Sequence, residues 1–270
     1  MSKVCLLVCT YCPSPKSARE ELIWRCLNSV KKLKSTYGSD ICVVIWDNNS
    51  ISPFQEKLKS LSWMDRLILC NENLYDYGAV HGLSILAEDM KIPYVIYCND
   101  DIEFLRFDFL EECKEVLEEH PHAGYARLNL FDFYRLQIFD KQSVDPYRDE
   151  SNSQRIYNWT SKEQVDYRRI HYGGLYEYFL TNMHWHLFPG LCKTSIFKEL
   201  CPFKDHSPLQ SLEGYMIKNY HLLNLKTIVL NKGVCHHMGV QKLSMRLKQT
   251  RHPVIRWDHC KTIIDSYRGL

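Results

Sequence analysis

A chain of 270 residues with a formal net charge of +2 is long enough to bury one substantial core, and its near-neutral balance excludes a composition-driven case for nucleic acid or an anionic membrane surface. Hydrophobic residues make up 45% and charged residues 24%, the balance of a globular protein, and no apolar run approaches the ~18 residues of a membrane-spanning helix. The apolar run at residues 4–9 lacks a small-residue cleavage site before Tyr11 and Pro13, so it reads as a buried strand rather than a secretory signal. Residues 18–37 carry Leu22, Ile23, Cys26, Leu27, Val30 and Leu33 at helical spacing, with Gly38 as a stop. Strands are expected at 41–46, 66–70, 94–98 and 124–130, and helices at 78–90 and 107–119. Strands separated by helical segments imply βαβ units: an α/β fold whose mainly parallel central sheet is covered by helices on both faces.

The alternation stops after Asn129. Residues 131–182 are rich in Tyr, Arg, Asp and Gln without a clear period, as expected of an inserted region carrying binding loops. Regularity returns with helices at 192–200 and 209–223 and a strand at 226–230. The basic, amphipathic stretch 241–270 reads as a C-terminal helical extension. No linker composition divides the chain, which is therefore expected to be one domain with a first half over 1–130 and a second over 131–240.

The twelve cysteines bear on compartment. Cys5, Cys9, Cys42, Cys70, Cys98 and Cys235 lie in or beside apolar runs, where a free thiol behaves as a small hydrophobe. Cys9 and Cys12 form a lone Cys-x-x-Cys, with no second pair at zinc-ligand spacing. A reducing, cytoplasmic setting is expected, with the sequons at Asn48 and Asn158 unused.

In an open parallel sheet, ligands bind beyond the carboxyl ends of the strands. The first expected strand ends in Thr10-Tyr11 and the second in Asp47-Asn48-Asn49-Ser50. The third runs into Asn71-Glu72-Asn73 and Tyr75-Asp76-Tyr77-Gly78, and the fourth ends in Asn99-Asp100-Asp101. Each alone could be a turn or a helix cap. Four such ends at one sheet edge point instead to a shared ligand site. Adjacent carboxylates repel one another and invite a hard divalent cation, which can also neutralise a diphosphate leaving group. Neither a Gly-x-x-x-x-Gly-Lys-Ser/Thr loop nor a Gly-x-Gly-x-x-Gly loop is present, which disfavours P-loop NTPases and classical dinucleotide-binding dehydrogenases.

Across roughly residues 3–130 and 185–240 these motifs resemble the family-2-like GT-A glycosyltransferases, the inverting rhamnosyl- and glucosyltransferase kind. The resemblance implies a Rossmann-like GT-A sheet with an acceptor-side insertion, a nucleoside-diphosphate sugar as donor, and Mn²⁺ or Mg²⁺ as cofactor. It implies that Thr10, Tyr11, Asp47 and Asn73 hold the nucleoside. The stretch Asn73-Leu74-Tyr75-Asp76-Tyr77-Gly78-Ala79-Val80-His81 is similar to the family's Asn-x-Gly-[Phe/Tyr]-x-Gly-x-x-Asn, with Tyr75 for the first Gly and His81 for the last Asn. Asp76, Gly78 and His81 thereby join the donor contacts. Asn99-Asp100-Asp101 matches Asp-x-Asp with Asn at its first position. By the resemblance Asp101 is the metal ligand, and Asn99 and Asp100 face the donor.

Further along, Phe188-Pro189-Gly190 is similar to the acceptor-side segment. Trp185 and His186 precede it, with Trp185 standing either as a sugar-stacking face or as core. Glu213 is the implied general base, with Gly214 in place of a second acid. Val234-Cys235-His236-His237-Met238-Gly239 resembles the element whose His completes the metal site, which selects His237, with His236 as alternate. Asp47 suits uracil, thymine or guanine alike, so the donor is expected to be UDP-, dTDP- or GDP-linked. The acceptor is expected to be a glycan or glycoprotein hydroxyl. A nucleotidyltransferase or a non-catalytic nucleotide-sugar or glycan-binding module would share the acidic edge. The oligomeric state is left open.

Overall fold

Strand β1 (Val4–Thr10) is buried at every position, as is β2 (Ile41–Asp47). Such uninterrupted burial is what a strand covered on both faces requires. The computed structural model describes residues 3–15, 18–128, 170–173, 176–181, 189–201, 212–230 and 234–238. Among them, β1 and β2 join β3 (Arg66–Leu69), β4 (Tyr94–Asn99), β6 (Ala123–Arg127), β7 (Ile170–Gly173), β8 (Tyr176–Thr181), β9 (Gly190–Lys193) and β10 (Lys226–Leu230) in one sheet of order β3-β2-β1-β4-β9-β6-β10-β8-β7. Strands β1 to β4, β6, β10 and β7 run one way, and β9 and β8 run against them. The fold is α/β with a mainly parallel sheet, as expected.

Alternation along β1 sends its side chains into two cores. Val4, Leu6 and Val8 pack with α1 (Ala18–Tyr37), α2 (Ser52–Lys59) and α4 (Leu110–Glu119) on one face. Cys5, Leu7 and Cys9 pack with α3 (Tyr75–Asp89), α5 (Thr194–Leu200) and α6 (Leu212–Leu222) on the other. Helix α3 lies close on β2 because two glycines one turn apart make room for Trp46, which is fully buried. A Cβ at Gly82 would enter the Trp46 ring, and one at Gly78 would meet Leu74 at 2.5 Å and Trp46 at 3.2 Å.

Several expectations are corrected. Helix α2 had no sequence expectation, since only Phe54 and Leu58 of its eight residues are buried. Helix α3 starts at Tyr75 rather than 78, and α4 at Leu110 rather than 107. The helix expected at 192–200 begins only at Thr194, because Gly190–Lys193 is a strand inserted antiparallel between β4 and β6. That apolar run is too short for periodicity to separate strand from helix. Strands β7 and β8 fall in the stretch read as irregular. A separate ribbon pairs β5 (Ile102–Phe104) with β11 (Cys235–His237) antiparallel, with His237 opposite Ile102.

Every described cysteine is free and buried, in line with thiols acting as core residues. Asn48 is 2% exposed, which closes that sequon to modification. None of the described helices is long and apolar enough to cross a membrane. The C-terminal extension, Asn158, Trp185 and His186 lie outside the described residues.

Candidate active site

Register brings the strand ends level. Thr10 pairs with Asp47 across β1 and β2, and Cys9 with Asn99 across β1 and β4. The turn into Asp100-Asp101 therefore rises beside Tyr11. The Tyr11 backbone N–H donates to Asp100 Oδ2 at 3.0 Å, and Arg19, from the first turn of α1, donates through Nη2 to Asp100 Oδ1 at 2.7 Å. Arg19 Nε donates to the Tyr11 carbonyl at 2.9 Å, so one guanidinium ties the ends of β1 and β4 together. Two thiols, Cys26 and Cys98, donate to the Asn99 carbonyl from beneath, at 3.6 and 3.3 Å.

The far end of the chain returns to the same turn. The Met238 N–H donates to the Asp101 carbonyl at 2.7 Å, and β11 lays the backbone of His236 and His237 beside residues 102 and 103.

Asp76, in the first turn of α3, accepts from the Tyr97 hydroxyl at 2.6 Å. Burial pushes its carboxyl up; Tyr97 and Arg19 pull it back, while Asp101 and Glu213 push it further. Asp100 is pushed up to about 7, first by burial, against Arg19 and the Tyr11 N–H, with Asp101 and Asp76 adding repulsion. Burial draws the Arg19 guanidinium down, but Asp100 and Asp101 more than offset it and leave it raised. Asp101 thus acts on both Asp76 and Asp100, Asp76 acts on Asp100, and Glu213 acts on Asp76. Arg127, at the end of β6, is lowered by burial, against which Tyr125, Cys235 and, least, Glu213 act. A crowd of hard oxygens of one sign is what a divalent cation relieves. Among the described residues, no group of three or more His, Cys, Asp and Glu side chains is arranged to hold a metal ion.

The structure assigns other work to several expected donor contacts. Thr10 and Asp47 are both 0% exposed. Asp47 accepts from the Thr10 and Ser50 hydroxyls, the Ser50 N–H and the Gln55 amide, which engages both its oxygens. It fastens the β2 turn and presents no surface to a nucleobase. Asn73 is half-buried, and its Oδ1 accepts the Tyr75 N–H at 2.8 Å just before α3. Gly78 is required by Leu74 and Trp46, and His81 is buried at 6% exposure inside α3. Gly190 lies in β9 under Tyr125, where a Cβ would fall inside the ring, so its need for glycine is met by packing rather than by an acceptor.

Arg19, Tyr97 and Arg127 were missed by sequence reading. No motif marks them, though Arg127 is a basic residue at a strand end of the same edge.

No family model matches the sequence, and no curated protein matches it. Among solved structures, S. aureus TarS 1–349 is 14% identical with a TM-score of 0.48, over 86% of this chain and 59% of that one. The same protein in complex with UDP is 14% identical, TM-score 0.48, over 98% and 70%. Its complex with UDP-GlcNAc is 14% identical, TM-score 0.47, over 98% and 71%. The chain spans less than two thirds of the length of the first of these.

Proposed function

We propose that this chain is a glycosyltransferase that moves a sugar from a nucleoside-diphosphate sugar to a hydroxyl of a glycan or glycoprotein acceptor, with inversion and with Mn²⁺ or Mg²⁺. The observation that carries the reading is the gathering of Asp76, Asp100 and Asp101 at the carboxyl edge of the sheet, where the strand ends lie level, with Glu213 acting on Asp76. They come from α3, the β4 turn and α6.

Asp101 and His237 would hold the cation, which supplies charge neutralisation at the leaving diphosphate. Asp76 faces the donor, and Asp100, 2% exposed, holds Arg19 at the same edge. Thr10 and Asp47 position the strand ends, and Asn73 holds the nucleoside from the start of α3. Glu213 takes the proton of the acceptor hydroxyl as its oxygen bonds to the anomeric carbon, while the bond from that carbon to the diphosphate breaks and its electron pair leaves with the diphosphate.

Donor turnover titrated with Mn²⁺ tests this in the wild type and in Asp101→Ala. Turnover that rises with metal in the wild type and is lost in the variant is expected. Full metal-dependent turnover in Asp101→Ala removes Asp101 as ligand, and nucleotide-sugar binding without turnover across a broad acceptor panel favours a binding module.

A further inference from the structure

Arg19 belongs to no recognised motif, and its setting is asymmetric. Its side chain is 49% exposed, while that of its partner Asp100 is 2% exposed. The guanidinium is fixed through Nε to the Tyr11 carbonyl and through Nη2 to Asp100 Oδ1, and the Tyr11 N–H engages the other Asp100 oxygen. Both oxygens of Asp100 are thus engaged within the chain, which leaves the metal to Asp101. What remains at the junction of β1 and β4 is a half-open planar fork of donors with a permanent positive charge. A guanidinium in this geometry matches phosphate oxygens, and charge-assisted bonds to phosphate are among the stronger polar contacts.

We propose that Arg19 binds the donor's diphosphate, acting as a resident cation beside the divalent ion. The assignment rests on the nucleotide-sugar reading above. It makes two cations of different kinds share one leaving group. Diphosphate binding then retains a component that chelators do not remove.

The test compares nucleoside diphosphates with their own nucleosides. Binding of UDP, dTDP and GDP, and of uridine, thymidine and guanosine, is measured by calorimetry in EDTA and in Mn²⁺, for wild type, Arg19→Gln and Arg19→Lys. In EDTA, Arg19→Gln is expected to weaken the recognised diphosphate about 10- to 100-fold while leaving the matching nucleoside unchanged, with part of the loss recovered in Arg19→Lys. An unchanged ratio of diphosphate to nucleoside affinity in Arg19→Gln overturns the assignment. So does equal loss of nucleoside and diphosphate in both variants, which would make Arg19 a clamp on the strand ends only. If the wild type binds none of the three diphosphates in Mn²⁺, the nucleotide-sugar reading itself falls.

Discussion

The backbone N–H of Met238 donates to the carbonyl of Asp101 at 2.7 Å, joining residues far apart in the chain at the turn that carries the candidate metal ligand. Met238 is buried at 8% exposure, so this bond is made away from bulk water. Proline at Met238 removes the donor and leaves the Asp101 carbonyl without it. Met238→Pro is expected to lower stability by about 1–3 kcal/mol in urea unfolding. An unchanged midpoint would show that the β5–β11 ribbon does not hold the turn.

The charge of Glu213 acts on both Asp76 and Arg127. If it is the base, Glu213→Gln keeps the shape and loses proton acceptance. The expected outcome is a kcat lower by about 10²- to 10⁴-fold with donor affinity unchanged. Retained kcat would remove Glu213 from the chemistry, and a loss confined to donor affinity would reassign it to binding.

The contact between α3 and Trp46 depends on two absent side chains. A methyl at Gly82 enters the indole, which is fully buried and cannot withdraw freely. Gly82→Ala is expected to cost about 1–3 kcal/mol by overpacking, read as a lower melting temperature. A variant as stable as wild type would show that α3 can slide on β2.

Tyr75 holds a φ of +52°, a conformation unfavourable for an L-residue, at the position where the resembled motif has glycine. Its carbonyl is fixed there by the Asn48 side-chain amide at 3.1 Å. Replacing it by glycine relieves the backbone at a smaller entropic cost. Tyr75→Gly is expected to stabilise the fold by about 1 kcal/mol. A lower melting temperature would mean that the Tyr75 side chain contributes more than its backbone costs.

The thiols divide by environment. The hydrogen bond from Cys5 lowers the Cys42 thiol, with Lys34 and Arg66 adding to it, whereas burial pushes up Cys9, Cys98, Cys113, Cys192, Cys201 and Cys235. Thiolate is the reactive form, and its fraction rises with pH above a lowered value first. Iodoacetamide at neutral pH, mapped by mass spectrometry, is expected to label Cys42 ahead of those six. Labelling led by any of them would contradict the assignment.

The core of the fold was legible because β1, β2 and β4 are continuous apolar runs and α1 repeats its apolar face over twenty residues. Helix α2 was not, since two buried side chains carry too little period. The orientation of β9 was not either, because direction is decided by pairing with β4 and β6 rather than by local sequence. The carboxylates of the site were visible as strand-end and motif residues. Arg19 was invisible because its partner Asp100 lies 81 residues away. Thr10 and Asp47 show what spacing alone does not report: the same polar groups serve a ligand or a turn, and here both are 0% exposed.

Melting temperatures of the wild type and Asp101→Ala, measured with UDP, dTDP and GDP in the presence and absence of Mn²⁺, bear most directly on the nucleotide-sugar site. Binding to the native state alone raises the melting temperature with ligand concentration. One nucleotide is expected to stabilise the wild type more strongly with Mn²⁺ than without, and the Mn²⁺-dependent part is expected to vanish in Asp101→Ala. The same Mn²⁺-dependent shift in Asp101→Ala, or no shift with any of the three in the wild type, would contradict it.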